Sequence, residues 1–252
     1  MPIEGIRSSS AFLRPLMTKM EIVSNNLANI NSVGFKRGRL FVEVLSNIQP
    51  VAPDGDTGEF FPDVKLTEKA DFAQGTLEQT SNPFDLAIDG PGFFAVQTQE
   101  GTRYTRAGNF TLTADGEIVT RSGYPVIGDN SGSIILPNFH NLQKEDIAIN
   151  NLGEVFVENI SVGKLKMVTF ENFESLEKVG AALFKEKEDA VVTDLDEDKT
   201  FVRQGFLEGS NVDGIEEMIQ MIEVTRLFET GQKMMQTHDD SLTRSLEVGR
   251  MS

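Results

Sequence analysis

Both ends of this 252-residue chain repeat apolar residues at heptad spacing, and the stretch between them does not. Near the start, Ile6, Leu13, Met20 and Leu27 recur every seven places. Ser9, Leu16, Val23 and Ile30 stand three places after each, and seven of these eight positions are apolar. That is the seam of a helix built to pack against another helix. Pro15 interrupts it, because an interior proline removes one backbone hydrogen bond and crowds the preceding turn. The helix therefore either kinks near 11–15 or is firm only from Pro15. Asn25, Asn26, Asn29 and Asn31 then weaken helix propensity, and Gly34 ends the segment. The Asn-rich turn is expected to cap the helix and to hydrogen-bond neighbouring backbone.

A second seam runs through Met221, Phe228, Met235 and Leu242, with Val224, Gly231, His238 and Ser245 between them. A further stripe, Ile215, Met218, Ile219 and Ile222, makes the first half of that helix apolar over most of its circumference. Ser210 and Asp213 have capping-box spacing, and Asn211 is an alternative N-cap. A helix over 212–246 would be roughly 50 Å long. One N-terminal helix of half that length cannot cover both stripes, so other chains are expected to cover the remainder. Eight of the nine Met lie in the terminal parts, where flexible thioethers suit irregular packing.

Between the ends the period changes to that of strands. Residues 93–96, 109–113, 117–120, 133–136, 147–149, 154–157 and 164–170 read as β, and Asp115-Gly116 marks a hairpin. Pro and Gly over 47–63 suggest an extended arm. The expected fold is α+β: N- and C-terminal helices pair as a coiled coil around an inserted all-β domain, a small barrel or sandwich. The expected divisions are 1–46 for helix and turn, 47–85 for the arm, 86–205 for the β domain and 206–252 for the second helix.

Composition narrows the function. A net charge of −16 argues against nucleic acid and anionic membrane surfaces as partners. It is unevenly spread: residues 1–46 carry +3, 47–205 carry −14 and 206–252 carry −5. The opposite signs of the two ends favour their pairing. The absence of Cys removes disulfides, thiolate catalysis and Cys-held metals. Only His140 and His238 are available as imidazole ligands. Asp194, Asp196 and Asp198 begin like a calcium loop, but Lys199 and Gly205 stand where Gly and Glu are required. Gly90-Pro91-Gly92 continues into neither a dinucleotide fingerprint nor a phosphate loop. No catalytic, cofactor or metal residue is expected. The start of the chain has no secretory signal pattern, and no stretch is long and apolar enough to span a bilayer.

Four motifs then occur in order. Ser24-Asn25-Asn26-Leu27-Ala28-Asn29-Ile30-Asn31-Ser32-Val33-Gly34-Phe35-Lys36-Arg37 resembles the N-terminal signature of bacterial flagellar rod and hook proteins. Leu86-Ala87-Ile88-Asp89-Gly90-Pro91-Gly92-Phe93-Phe94 resembles the middle of the same family. So does Arg103-Tyr104-Thr105-Arg106-Ala107-Gly108-Asn109-Phe110, followed by Thr120-Arg121-Ser122-Gly123-Tyr124-Pro125-Val126. Leu207-Glu208-Gly209-Ser210-Asn211-Val212 and Arg226-Leu227-Phe228-Glu229 resemble its C-terminal region. Length favours rod subunits over the longer hook protein, the proximal kind first and the distal kind close behind. Pro15 and the acidic 185–198 stretch depart from the family pattern.

The resemblance implies a structural subunit of the periplasmic rod, exported without a cleaved signal through the flagellar type III apparatus. Its partners would be further copies, other rod and hook subunits, and ring proteins around the rod, with no small-molecule substrate. The ends would stay partly disordered until assembly orders them. The residues expected at the assembly interface are Ile6, Leu13, Leu16, Met20, Val23, Asn25, Asn26, Leu27, Asn29 and Ile30 from the first segment. From the last they are Ile215, Met218, Ile219, Met221, Ile222, Val224, Phe228, Met235 and Leu242. The competing readings are a β-domain hydrolase using two carboxylates, with oligomerising helical ends, and a phage-tail or adhesin-like surface protein.

Overall fold

A computed structural model describes residues 2–45, 63–130, 132–137, 146–195 and 199–250. The chain divides into two compact units, Met1–Ala28 with Gly38–Lys69 and Asp213–Ser252, and Asn29–Arg37 with Ala70–Val212.

The first unit holds α1 (Pro2–Ala28), a pair of strands β1 (Gly38–Leu45) and β2 (Asp63–Ala70), and α2 (Gly214–Arg250). Helix α1 is continuous through Pro15, so the helix does not begin there. Asp213 is the N-cap of α2: its Oδ1 accepts from the backbone N–H of Ile215 at 2.9 Å and of Glu216 at 3.2 Å. This corrects the Ser210 and Asn211 alternatives. Ser210 Oγ instead accepts from the Val212 N–H, and the Asn211 side chain is engaged elsewhere. Glu216 and Glu217 in the first turn place negative charge at the positive end of the helix dipole.

Two expectations about the early chain change. Residues 38–45, expected within the helix-and-turn segment, and 63–70, expected within the arm, form a strand pair. The alternation in Leu40-Phe41-Val42-Glu43-Val44 is too short to stand out beside the heptads. The run 46–62, which includes most of the expected Pro- and Gly-rich arm, lies outside the described residues.

Among the described residues, the second unit has strands as its regular elements, apart from a 3-10 turn at Phe173–Ser175. It contains β3 (Leu77–Gln79), β4 (Leu86–Asp89), β5 (Phe93–Thr98), β6 (Gly101–Thr105), β7 (Thr111–Leu112) and β8 (Ile118–Val119). After these come β9 (Ile147–Ile149), β10 (Glu154–Val157), β11 (Ile160–Lys164), β12 (Met167–Phe170), β13 (Leu176–Lys178) and β14 (Leu183–Glu186). The last three are β15 (Val192–Asp194), β16 (Phe201–Gln204) and β17 (Phe206–Glu208). The largest sheet among the described residues has the order β13-β14-β6-β5-β12-β15, antiparallel throughout.

Strand β5 organises this sheet. Phe93, Phe94, Ala95 and Val96 are all fully buried, which explains why the sequence shows a continuous apolar run rather than alternation. Successive side chains point to opposite faces, and each face has its own core. Phe94 and Val96 pack with Leu86, Ile88, Phe110, Ile118 and Val155. Phe93 and Ala95 pack with Tyr104, Val168, Phe170 and Phe184. On that second face Phe72, Phe93 and Phe184 stack edge-on or tilted at 5.1–5.8 Å between ring centroids. Such pairs add about 0.5–1.5 kcal/mol each beyond their buried area. The 133–136 stretch, expected as a strand, supplies only isolated bridges, Ile135 to Glu117 and Ser133 to Ile127.

The unit closes with strands far apart in sequence. β16 pairs with β4 and β17 with β3, both antiparallel. At this closure three charged side chains meet out of water. Lys36 Nζ donates to Glu208 Oε1 at 2.5 Å and to the Ala73 carbonyl at 2.8 Å. Arg106 donates to Glu208 Oε2 at 3.2 Å and to the Gly90 carbonyl at 2.8 Å, and stacks over the Phe93 ring. The Gly75 N–H also donates to Glu208 Oε1. The side chains of Lys36 and Glu208 are completely buried. Burial lowers the proton affinity of the Lys36 ammonium and the Arg106 guanidinium, and the Glu208 carboxylate opposes both shifts. Gly34 is required nearby for geometric reasons. It sits at φ +66° with its N–H on the Glu208 carbonyl at 2.7 Å, and a Cβ there would collide with the backbone at Ala107.

Two outcomes follow from this cluster. Glu208→Gln leaves two buried cations without their carboxylate and should cost about 3–5 kcal/mol. Lys36→Met leaves Arg106 paired with Glu208 and should cost no more than about 1–2 kcal/mol; urea unfolding of both variants measures the contrast. The pH dependence has a definite sign. Below the lowered folded-state value of Lys36, both folded and unfolded chains hold its proton. Between that value and the ordinary 10.5, the unfolded chain holds a proton that the folded one has released. Raising pH through that window therefore favours the fold. The stability of the wild-type chain relative to Lys36→Met should rise toward pH 10.5 and be flat below the window; a relative fall would contradict the burial.

Candidate assembly surface

The first unit presents two faces of α2 with opposite fates. Asn26 Nδ2 donates to Glu217 Oε2 at 3.2 Å, joining the end of α1 to the start of α2. On the face of α2 that carries Glu217, the 3–4 spacing continues through Met221, Val224, Phe228, Gly231 and Met235. Glu217, Val224 and Gly231 are buried, and Met221, Phe228 and Met235 are half-buried. α1 and α2 pack along one another. On α1, Val23 and Asn26 are buried and Leu13, Leu16, Met20 and Leu27 half-buried. Asn26 also accepts from the Gly38 N–H at 2.8 Å and donates to the Gly38 carbonyl at 2.9 Å, which satisfies both polar groups at the start of β1.

The opposite face is bare. Ile215, Met218, Ile219 and Ile222 are 49–70% exposed. At 3.6 residues per turn the three isoleucines lie roughly on the far side of the helix from Glu217. From Arg226 onward that outer face turns polar, through Arg226, Glu229, Thr230 and Lys233, and the exposed Leu227 and Met234 stand singly beside it. The continuous uncovered stripe is thus confined to the first third of α2. Such a surface, bordered by Glu216 and Glu223, has the composition of an interaction site rather than of a solvated helix.

The sequence-derived interface therefore falls into three groups. The α1 seam and the Met221-Val224-Phe228-Met235 seam meet one another inside one subunit. Ile215, Met218, Ile219 and Ile222 face solvent. Among the remaining positions Asn25 is exposed, while Asn29 and Ile30 are half-buried and belong to the second unit. Ile6 and Leu242 lie in α1 and α2, and their side chains are outside the described residues, as is that of His238. His140, Asp196 and Asp198 lie outside them altogether. Asn29 does form the expected turn: its carbonyl accepts from the Ser32 N–H at 3.1 Å and its Oδ1 from Ser32 Oγ at 3.0 Å.

Sequence spacing does not single out Lys36, Arg106 and Glu208. Their sequence context is a charge next to Gly and apolar residues, Gly34-Phe35-Lys36, Arg106-Ala107-Gly108 and Leu207-Glu208-Gly209, which nothing in the spacing distinguishes. Three of the ordered motifs thus meet in one buried cluster, and the Ile88 and Gly90 carbonyls of the fourth accept from Arg106.

Comparison with known proteins agrees with this arrangement. Residues 16–36 match the flagella basal body rod protein family, 87–157 the flagellar hook protein FlgE/F/G D1 domain, and 203–248 the flagellar basal body rod FlgEFG protein C-terminal family. The flagellar basal-body rod protein FlgG of Bacillus subtilis (strain 168) is 30% identical over 98% of this chain and 100% of its own length. FlgG of Buchnera aphidicola subsp. Schizaphis graminum is 35% identical over 89% of this chain and 92% of its own. The basal-body rod protein FlgF of Caulobacter vibrioides is 34% identical over 87% of each chain. With a buried cluster built from the motifs that define the match, and with similarity running nearly end to end, the chain belongs to the flagellar basal-body rod protein family.

Proposed function

We propose that this chain is a structural subunit of the flagellar basal-body rod that polymerises through its helical ends. In this reading α1 and α2 pair as an antiparallel coiled coil within each subunit. The bare stripe at the start of α2 is then covered by a neighbouring axial subunit, another copy or a rod or hook relative. A head-to-tail contact that does not close into a ring builds a helical tube. Such a tube forms the hollow shaft that carries rotation from motor to hook in the periplasm. The work is mechanical rather than catalytic. Export through the flagellar apparatus, in an unfolded form, belongs to the same proposal.

The observation that carries it is the stripe Ile215-Met218-Ile219-Ile222, left in solvent on a helix whose other face is already occupied. Covering it gains about 1.5–3 kcal/mol for each apolar side chain fully removed from water. The positive first segment and negative last segment add register and encounter rate more than affinity.

Ile219→Asp should abolish incorporation into rods and swimming, while the thermal melt of the isolated subunit changes by no more than about 0.5 kcal/mol, as for an exposed position. Normal rods in that variant would remove the stripe from the interface. Phe228→Asp should differ: it lies in the seam between α1 and α2, so it should lose both helix pairing and assembly and leave the second unit's near-ultraviolet signature intact. Circular dichroism of the dilute subunit should show less helix than the 27 residues of α1 and 37 of α2, because the uncovered ends gain order on assembly.

A further inference from the structure

The chain passes between its two units four times, after Ala28, Arg37, Lys69 and Val212. On the second unit's side, three of these four passages are tied by one side chain. Asn211 Oδ1 accepts from the backbone N–H of Arg37 at 2.8 Å. Asn211 Nδ2 donates to the carbonyl of Asp71 at 2.8 Å and to that of Ala73 at 3.0 Å. The two bound segments are also joined directly, by the Asp71 N–H donating to the Arg37 carbonyl at 2.8 Å. Arg37, Asp71 and Asn211 each stand within two residues of a passage. The amide is suited to this place because it offers one acceptor and two donors in a plane, and here each of the three makes a backbone bond.

From this we propose that Asn211 is a positioning residue: it fastens the three segments by which the chain leaves and re-enters the β unit, so that they move as one root. The inference rests on the rod reading for its consequence, since a root that frays would dissipate load, but the geometry is independent of that reading. Asn211 is not part of the hydrophobic cores, so the effect of losing it is local. The neighbouring Lys36, bonded to Glu208 and to the Ala73 carbonyl, also joins these segments and remains in place. Asp is the informative substitution. It keeps the acceptor for the Arg37 N–H, loses both donors, and sets a carboxylate against two carbonyl oxygens.

The test is amide hydrogen exchange on the full-length subunit carrying Asn211→Leu or Asn211→Asp. In Asn211→Leu the amides of Arg37 and Asp71 should exchange at least tenfold faster. Those of Ala95 and Ile127, bonded inside the sheet region, should stay at the wild-type rate. In Asn211→Asp the Arg37 amide should keep more protection than in Asn211→Leu, while Asp71 is freed in both. Unchanged exchange at Arg37 and Asp71 would overturn the proposal. Equal acceleration at Ala95 and Ile127 would also overturn it, because Asn211 would then be an ordinary contributor to global stability. The exchange arm needs no rod, so it stands or falls apart from the functional reading. A second arm takes Asn211→Leu cells in medium of raised viscosity. Rods that form normally but drive slower swimming support the positioning role under load, and wild-type speed at every load contradicts it.

Discussion

Glu208 is the point on which the β unit closes. A carboxylate with no exposed surface is tolerated only when its charge and lone pairs are answered. Here the answers come from Lys36, Arg106 and the Gly75 N–H, three segments far apart in the chain. The ion pairs are not a net source of stability in the way the apolar cores are. What they do is tie the early and late segments together at one carboxylate, which Lys36 and Arg106 reach from different parts of the chain. β17 pairs with β3 and β16 with β4 around it, and Gly34 must be glycine to let the early segment lie against Ala107.

Much of the fold was legible from period alone. The heptads of both ends marked helices that the structure contains, and the Phe93-Phe94-Ala95-Val96 run marked a strand, which the structure buries on both faces. What stayed hidden depended on contacts that sequence spacing does not encode. Strands β3, β16 and β17 are three or four residues long and half-exposed, so they carry little periodic signal. Strand β1 follows a glycine-terminated helix closely enough to read as its tail. Pro15 read as a kink or a start, yet α1 contains it as an interior residue.

The candidate interface shows the same division. Spacing identified both stripes of α2 and implied that a single N-terminal helix could not cover them. It could not say which stripe the subunit covers itself. The structure separates them: Val224 and Gly231 are inside, whereas Ile215 and Ile219 are outside. Asn26 explains why a polar residue sits beside an apolar seam, because it holds Glu217 and both backbone groups of Gly38 at once. Conversely, Lys36, Arg106 and Glu208 appeared in the sequence only as letters of a family pattern. Their chemical reason needed the fold.

Assembly through α2 requires the Ile215-to-Ile222 stripe to be exposed in the free subunit and covered in the rod. Because the chain has no Cys, Ile219→Cys introduces a unique thiol, and its rate of labelling by a small water-soluble maleimide reports the cover directly. Labelling should be rapid in the free subunit and at least tenfold slower in purified rods. Equal labelling in both states would place the stripe outside the assembly and contradict the proposed cover.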